Sequence, residues 1–367
     1  MTLLRNPSVW VRPLSSGVRC AGSSTLRLST RPFRAQSQTR GKHTKNPPNA
    51  PSSRPQSRPF PQGQRAPVRQ EKQDVAEEKI PGQFPKVKVR YLRPAVYAIS
   101  VSSGIFIFLA YMEAREELKP KAIENAFPQW QIQRRAPPTP TEVATRAWDE
   151  LTPISKLSWG IIAANGAVHL TSFVAPRYWH MLWHTPAANA NFQLFTSTWV
   201  HSGPMHLLFN MWACHNFLPS TGYSRLFEGD PYHTLSFYLS AGLISGYAQH
   251  LTTMFARARA GIPAIFIPSG GASGALFGVF AAFCMQYPDA GVGILFVPYY
   301  MDAQYFLPAI MLFDFVGMVR GYSFVNFGHA AHLAGASMGI VYSYFDGKNR
   351  IWKPLVRFWK RRLQNQS

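Results

Sequence analysis

Residues 269–283 read SGGASGALFGVFAAF. Ser273 stands between glycines at the head of an apolar run that continues to about residue 286. A hydroxyl that opens a hydrophobic helix needs a partner. Gly274 and Gly278 are four apart and so share one helix face, and small residues on one face let a second helix bring its backbone close. The stretch therefore reads as one helix of a tightly packed bundle, with a polar group at its top.

The neighbour is legible further along. In GHAAHLAGASMG, residues 328–339, Ala331, Gly335 and Gly339 repeat every four positions, with His332 bordering the stripe. Two helices packed through these stripes would bring Ser273 and His332 together. Upstream, HSGPMHLLFN, residues 201–210, places Asn210 one helical turn below His206 and carries a second imidazole, His201.

A bilayer-crossing helix needs about 20 mostly apolar residues. The spans expected are 95–112 and then 157–175, 204–219, 233–252, 270–286, 303–319 and 328–345. Several contain histidine, glycine or an acid, which bundles tolerate when the polar faces point inward. The fold class is thus an all-α polytopic membrane protein, a six-helix bundle plus one additional N-terminal transmembrane helix. The division runs as follows: 1–70 basic leader, 71–94 polar linker, 95–112 the separate extra helix, and 113–156 a soluble loop. The six-helix core occupies 157–345 and a basic aromatic tail 346–367. Thr139 and Glu142 have capping-box spacing with Pro140 at the first helical position, which predicts a short helix to about Leu151 within the loop. Dense aromatics in 176–203 suggest a connection lying in the membrane interface, and the tail is expected at the headgroup surface.

Charge and apolar residues occupy different regions. The 367-residue chain has a formal charge of +21 and is 46% hydrophobic. Thirteen of its 38 basic residues and none of its 17 acidic ones lie in the first 70 positions. That segment, rich in Arg, Ser and Pro, reads as a mitochondrial transit peptide followed by a disordered spacer. A nucleic-acid-binding arm is the plainer alternative for an Arg-rich segment, and the lack of acids favours transit, so no nucleic-acid partner is expected. Cys20, Cys214 and Cys284 have no zinc spacing and imply no disulfide framework; no metal and no cofactor are expected.

Serine becomes a nucleophile when a base within hydrogen-bond reach takes its proton. His332 suits that role near neutral pH and can later protonate the leaving amine. His206, Asn210 and the backbone N–H of Ser273 are the available donors for a developing oxyanion, and Phe277, one turn after Ser273, offers a shelf for the His332 ring. Asp314 lies inside the 303–319 span with no partner legible in sequence, so the pair is read as a dyad without a third acid.

HSGPMHLLFN, GASG and HAAHLAGASMG, in this order on apolar helices, resemble the rhomboid family of intramembrane serine proteases over residues 157–345. The resemblance implies Ser273 as nucleophile, His332 as base and His206 with Asn210 as the oxyanion pair, with Gly271, Gly274, Gly335 and Gly339 supporting them. The extra helix and leader look like the mitochondrial one-plus-six subgroup. That implies an inner-membrane protease acting on single-pass or membrane-anchored substrates within the lipid bilayer. Phe277 departs from the tyrosine of bacterial members, and their first-loop Trp-Arg pair has no clear counterpart, although Trp179 and Trp183 offer packing there. Two other classes compete: a transporter using intramembrane histidines, and a rhomboid-like protein that binds clients without cutting them. Retention of both Ser273 and His332 argues against the second. The oligomeric state, the substrates and the membrane orientation are not encoded legibly. A transit peptide and seven crossings would send the tail to the intermembrane space, whereas its basic residues favour the matrix side.

Overall fold

The computed structural model describes residues 84–119, 138–256, 261–322 and 328–366. The expected transit segment, residues 71–83 of the linker, the middle of the 113–156 loop and Cys20 lie outside the described residues.

Helix α1 spans Leu92–Glu117 and the capped helix α2 spans Pro140–Asp149. In α2 the Thr139 hydroxyl accepts from the Glu142 N–H, and the Glu142 carboxylate accepts from the Thr139 N–H at 2.8 Å. Helix α3, Pro153–Val174, starts with Pro in its first turn and a Thr152 cap. Short helices α4 (Pro176–Met181) and α5 (Gln193–Thr196) lie in the aromatic connection. Five longer helices follow: α6 (Pro204–Gly222), α7 (Pro231–Thr252), α8 (Ser273–Gln286), α9 (Ala303–Arg320) and α10 (His329–Tyr344). Before α9 comes an antiparallel hairpin, β1 (Gly291–Gly293) with β2 (Tyr300–Asp302), Val292 opposite Met301. Helix α11, Lys353–Gln364, ends the chain.

Helices α1 and α3 are long and apolar enough to cross a membrane. Their outer faces expose Val96, Ile99, Phe108, Leu170 and Phe173, apolar surface that suits a lipid solvent. Helix α8 is different. It has 14 residues, nine of them buried, and at 1.5 Å per residue measures about 21 Å, short of the roughly 30 Å hydrocarbon layer. It is packed against α6, α7, α9 and α10, so its first residue sits at the inner end of a strand of chain, 261–272, that folds into the bundle.

One sequence expectation changes: the first helix is not separate, since α1 packs on α7 and α11, burying Ala98 against Leu194 and Leu243 at one end and Leu109, Ala110 and Ala114 at the other. The tail folds back on α1. Trp352 and Val356 are buried against α1, the Trp359 indole N–H donates to the Ile107 carbonyl at 3.1 Å, and Lys360 pairs with Glu117. Asp230 fixes this corner. One carboxylate oxygen caps α7 through the N–H groups of Tyr232 and His233, while the other accepts from the Trp352 indole at 2.7 Å.

Candidate active site

Backbone contact between α8 and α10 builds the site. A Cβ placed on Gly335 would lie 2.0 Å from the Gly274 carbonyl oxygen, and one on Gly339 would lie 2.3 Å from that of Gly278. No side chain fits there, and the two helices meet at van der Waals range along the expected stripes. At the top of this seam Ser273 Oγ and His332 Nε2 are 2.9 Å apart. The Phe277 ring lies flat on the imidazole, centroids 4.2 Å apart and planes 9° apart, so the ring is held in the plane that aims Nε2 at the hydroxyl.

The chain leading into Ser273 is pinned by loop contacts. His184 and Ser269 exchange two backbone hydrogen bonds at 3.0 and 2.8 Å, and the Gly271 N–H donates to the Ser197 carbonyl at 2.8 Å. The Ala272 N–H donates to His201 Nε2 at 3.3 Å. Gly271 has φ +140°, and a Cβ there would meet the His206 ring at 2.9 Å, so glycine is required both by conformation and by space. With its two predecessors engaged, the Ser273 N–H has no acceptor among the described residues. It is a first-turn helix donor of the kind that receives anions.

His206 faces the same space. The Ser202 N–H donates to His206 Nδ1 at 3.4 Å, with the Ser202 hydroxyl 3.1 Å from the same atom. A neutral ring that accepts at Nδ1 carries its proton on Nε2, the edge turned toward Gly271. Asn210 is buried, and its amide donates back to the His206 carbonyl at 2.8 Å, leaving one amide hydrogen for another acceptor. His201 is fully buried. Burial first, and the nearby His206 second, push its imidazole down to about 3; it stays neutral and serves as a latch for the loop. His184, held down to about 3 by burial and by His250, does the same beneath the 261–272 segment. Trp179 and Trp183 meet edge to face at 5.3 Å, and Trp183 backs Gly270.

The sequence shows no partner for Asp314; the structure gives it two. The Asp314 carboxylate, 1% exposed on α9, places both oxygens 3.2 Å from His332 Nδ1 and one oxygen 2.6 Å from His329 Nδ1. A carboxylate facing both nitrogens favours the tautomer with the proton on Nδ1, in which His332 Nε2 accepts from Ser273. The acid looked solitary because its partners lie 15 and 18 residues away on another helix. The signal was present: Asp314 and Gly317 are spaced three apart, as are His329 and His332, and two matching i, i+3 faces can mate. These three side chains offer ligand atoms within 4.8 Å of one another. Ligands sharing one zinc at about 2.0 Å stand roughly 3.3 Å apart, so the 2.6 Å contact is that of a hydrogen bond and not of a ligand pair.

Residues 188–349, which contain His206, Asn210, Ser273, Asp314, His329 and His332, match the family model of the rhomboid domain. The chain is 34% identical over 220 residues to the presenilin-associated rhomboid-like protein, mitochondrial, of Rattus norvegicus, covering 58% of this chain and 55% of that protein. The Homo sapiens protein of that name gives 34% over 220 residues, 58% and 54% covered. Rhomboid protein 1, mitochondrial, of Saccharomyces cerevisiae is 27% identical over 213 residues, 57% of each chain. The chain carries a rhomboid domain. It is a mitochondrial membrane protein, and it spans about half the length of the curated relatives it matches. The match begins after α3 and α4 and runs through α10; α1 and α11 lie outside it and pack on each other, α1 also on α7.

Proposed function

We propose that this chain is an intramembrane serine endopeptidase that cuts single-pass or membrane-anchored proteins of the mitochondrial inner membrane, in or near their transmembrane segments. The observation that carries the reading is the 2.9 Å contact from Ser273 Oγ to His332 Nε2 beneath a stacked Phe277. His332 takes the hydroxyl proton as Ser273 attacks the scissile carbonyl, and returns it to the leaving amine. The Ser273 N–H, His206 Nε2–H and the remaining Asn210 amide hydrogen receive the oxyanion, each such donor being worth about 2.7–4 kcal/mol in the transition state. The helices α1, α3, α6, α7, α8, α9 and α10 are the seven crossings of a one-plus-six arrangement.

Substrate reaches Ser273 sideways, past α9. Of its 18 residues only Ala303, Leu307, Asp314 and Gly317 are buried, a seam narrow enough to part. A substrate helix must unwind locally, because its carbonyls are otherwise held in hydrogen bonds; helix-breaking residues and a small residue before the cut favour cleavage. The test is cleavage of a synthetic single-pass substrate, with a Gly-Pro break and an alanine before the bond, by the protein in lipid nanodiscs. Ser273→Ala and His332→Ala each abolish turnover in folded protein. A wild-type rate in either variant removes the assignment, and binding without cutting in the wild type returns the client-binding reading.

A further inference from the structure

The helix that borders the proposed substrate path also carries the acid that faces the base. We infer that Asp314 is the positioning residue of His332, and that His329 clamps it in place, so that the base is correctly held only while α9 is packed on α10. This rests on the protease reading above and adds to it a third residue and a coupling.

The geometry is a line of three side chains. His329, 7% exposed at the start of α10, donates to Asp314 Oδ1 at 2.6 Å. His332, one turn later, meets both carboxylate oxygens at 3.2 Å and reaches Ser273 with its other nitrogen. The shorter contact belongs to His329, so the carboxylate is located by His329 and presented to His332. His329 is itself enclosed by α9. A Cβ on Gly317 would lie 2.5 Å from the His329 ring, and the rings of Phe313 and Tyr322 stand edge-on to it at 6.1 and 5.6 Å. Tyr322 closes the clasp, stacking on Phe313 at 4.7 Å and donating its hydroxyl to the Phe313 carbonyl at 3.0 Å.

Two consequences follow from chemistry. The carboxylate fixes the tautomer with the proton on Nδ1, and it stabilises the imidazolium that forms when Ser273 is deprotonated. It does this from α9, whereas Ser273 and His332 stand on α8 and α10. Parting α9 from α10 to admit a substrate withdraws the carboxylate, and return of α9 restores it. Hydrolysis therefore belongs to the closed state, after the substrate is inside.

The experiment uses the full chain in nanodiscs with the same synthetic substrate, measuring kcat and KM beside thermal unfolding. Asp314→Asn keeps the volume and two polar atoms but cannot fix the tautomer; kcat falls by about 100-fold or more with KM within about twofold. Gly317→Ala leaves Asp314 intact and pushes against His329; kcat falls by about tenfold, again with KM little changed. Fluorophosphonate labelling of Ser273 slows in the same order. If Asp314→Asn keeps kcat within threefold of wild type, or loses activity only in step with its folded fraction, the positioning role is overturned. If Gly317→Ala cuts at the wild-type rate, the coupling to α9 is overturned. Either result leaves the protease reading standing as long as Ser273→Ala is dead, and an active Ser273→Ala overturns that reading separately.

Discussion

His332 is held from two sides, and the two sides are built differently. Toward α8 the contact is backbone on backbone: the Gly335 and Gly339 positions press on the carbonyls of Gly274 and Gly278 with no room for a methyl group. Toward α9 the contact is side chain on side chain, one carboxylate between two imidazoles, on a helix whose Leu312, Phe315 and Val319 face outward. Backbone cannot rotate away, whereas side chains can part and meet again. On the proposed function, the difference assigns rigidity to the Ser273–His332 pair and mobility to the helix beside the proposed substrate path.

Gly335→Ala is the most damaging way to break that comparison. Its methyl group meets backbone at 2.0 Å, so α8 and α10 must separate, at about 1–3 kcal/mol or more of stability. Turnover falls by more than about 100-fold even in the folded fraction, because proton transfer demands hydrogen-bond distance. A Gly335→Ala protein with wild-type Tm and kcat would show that the seam is not rigid. Phe277→Ala probes the same rigid side one step out. Loss of the stacked ring frees the imidazole without moving a backbone, and kcat falls by about tenfold, whereas Phe277→Tyr, which keeps the shelf, stays near wild type.

How much of this was legible follows from the same contrast. The α8–α10 seam could be read because small residues at spacing four leave a mark in each helix separately. The apolar run around Ser273 and the repeat through Gly335 and Gly339 needed no knowledge of which helices touch. Asp314 could not be placed that way, since its meaning depends on which helix faces α9, and a lone acid in an apolar run has several uses. Ser202 carries no mark of its own in the sequence, because its role comes from an i, i+4 contact at a helix start and not from its type. The fold-back of α11 is hidden for another reason. Trp352, Val356, Trp359 and Leu363 form an apolar stripe at helical spacing, but the surrounding lysines and arginines suggested lipid as its partner and α1 was read as standing alone.

The loop before Ser273 gives a gentler test, through pH. His201 is held near 3 in the folded protein by burial, against about 6.5 for an unfolded imidazole. The unfolded chain therefore binds the extra proton first as the medium is acidified. Stability from this group is complete above about pH 6.5 and declines as the pH falls from there toward 3. Protonation also removes the lone pair that accepts from the Ala272 N–H. Thermal unfolding and cleavage measured between pH 7.5 and about 5 decline together in the wild type. His201→Gln, which can accept without charging, flattens the His201 part of that decline, while other buried imidazoles, His184 among them, keep the remainder. An unchanged profile in His201→Gln would remove the latch.

The smallest expected effect is the control that separates geometry from composition. Helix α3 also carries glycines, Gly160 and Gly166, and a Cβ on either meets nothing within 4 Å. If glycine mattered here only as a softener of helices, alanine at these positions and at Gly335 would act alike. Close approach predicts the opposite. Gly160→Ala adds a methyl group to open space and lowers the conformational freedom of the unfolded helix, so Tm is unchanged or rises slightly, by at most about 1 kcal/mol of stability, with kcat and KM at wild-type values. Gly278→Ala falls between the two: its Cβ would press on the Ala241 methyl at 3.0 Å and the Gly335 carbonyl at 3.2 Å, contacts that a shift of a few tenths of an ångström relieves. Ranking the three by unfolding temperature should give Gly160, then Gly278, then Gly335 in order of increasing damage. An order set by depth in the helix instead of distance to the facing backbone would place the cause in helix propensity, and the α8–α10 seam would lose its claim to hold the serine against its base.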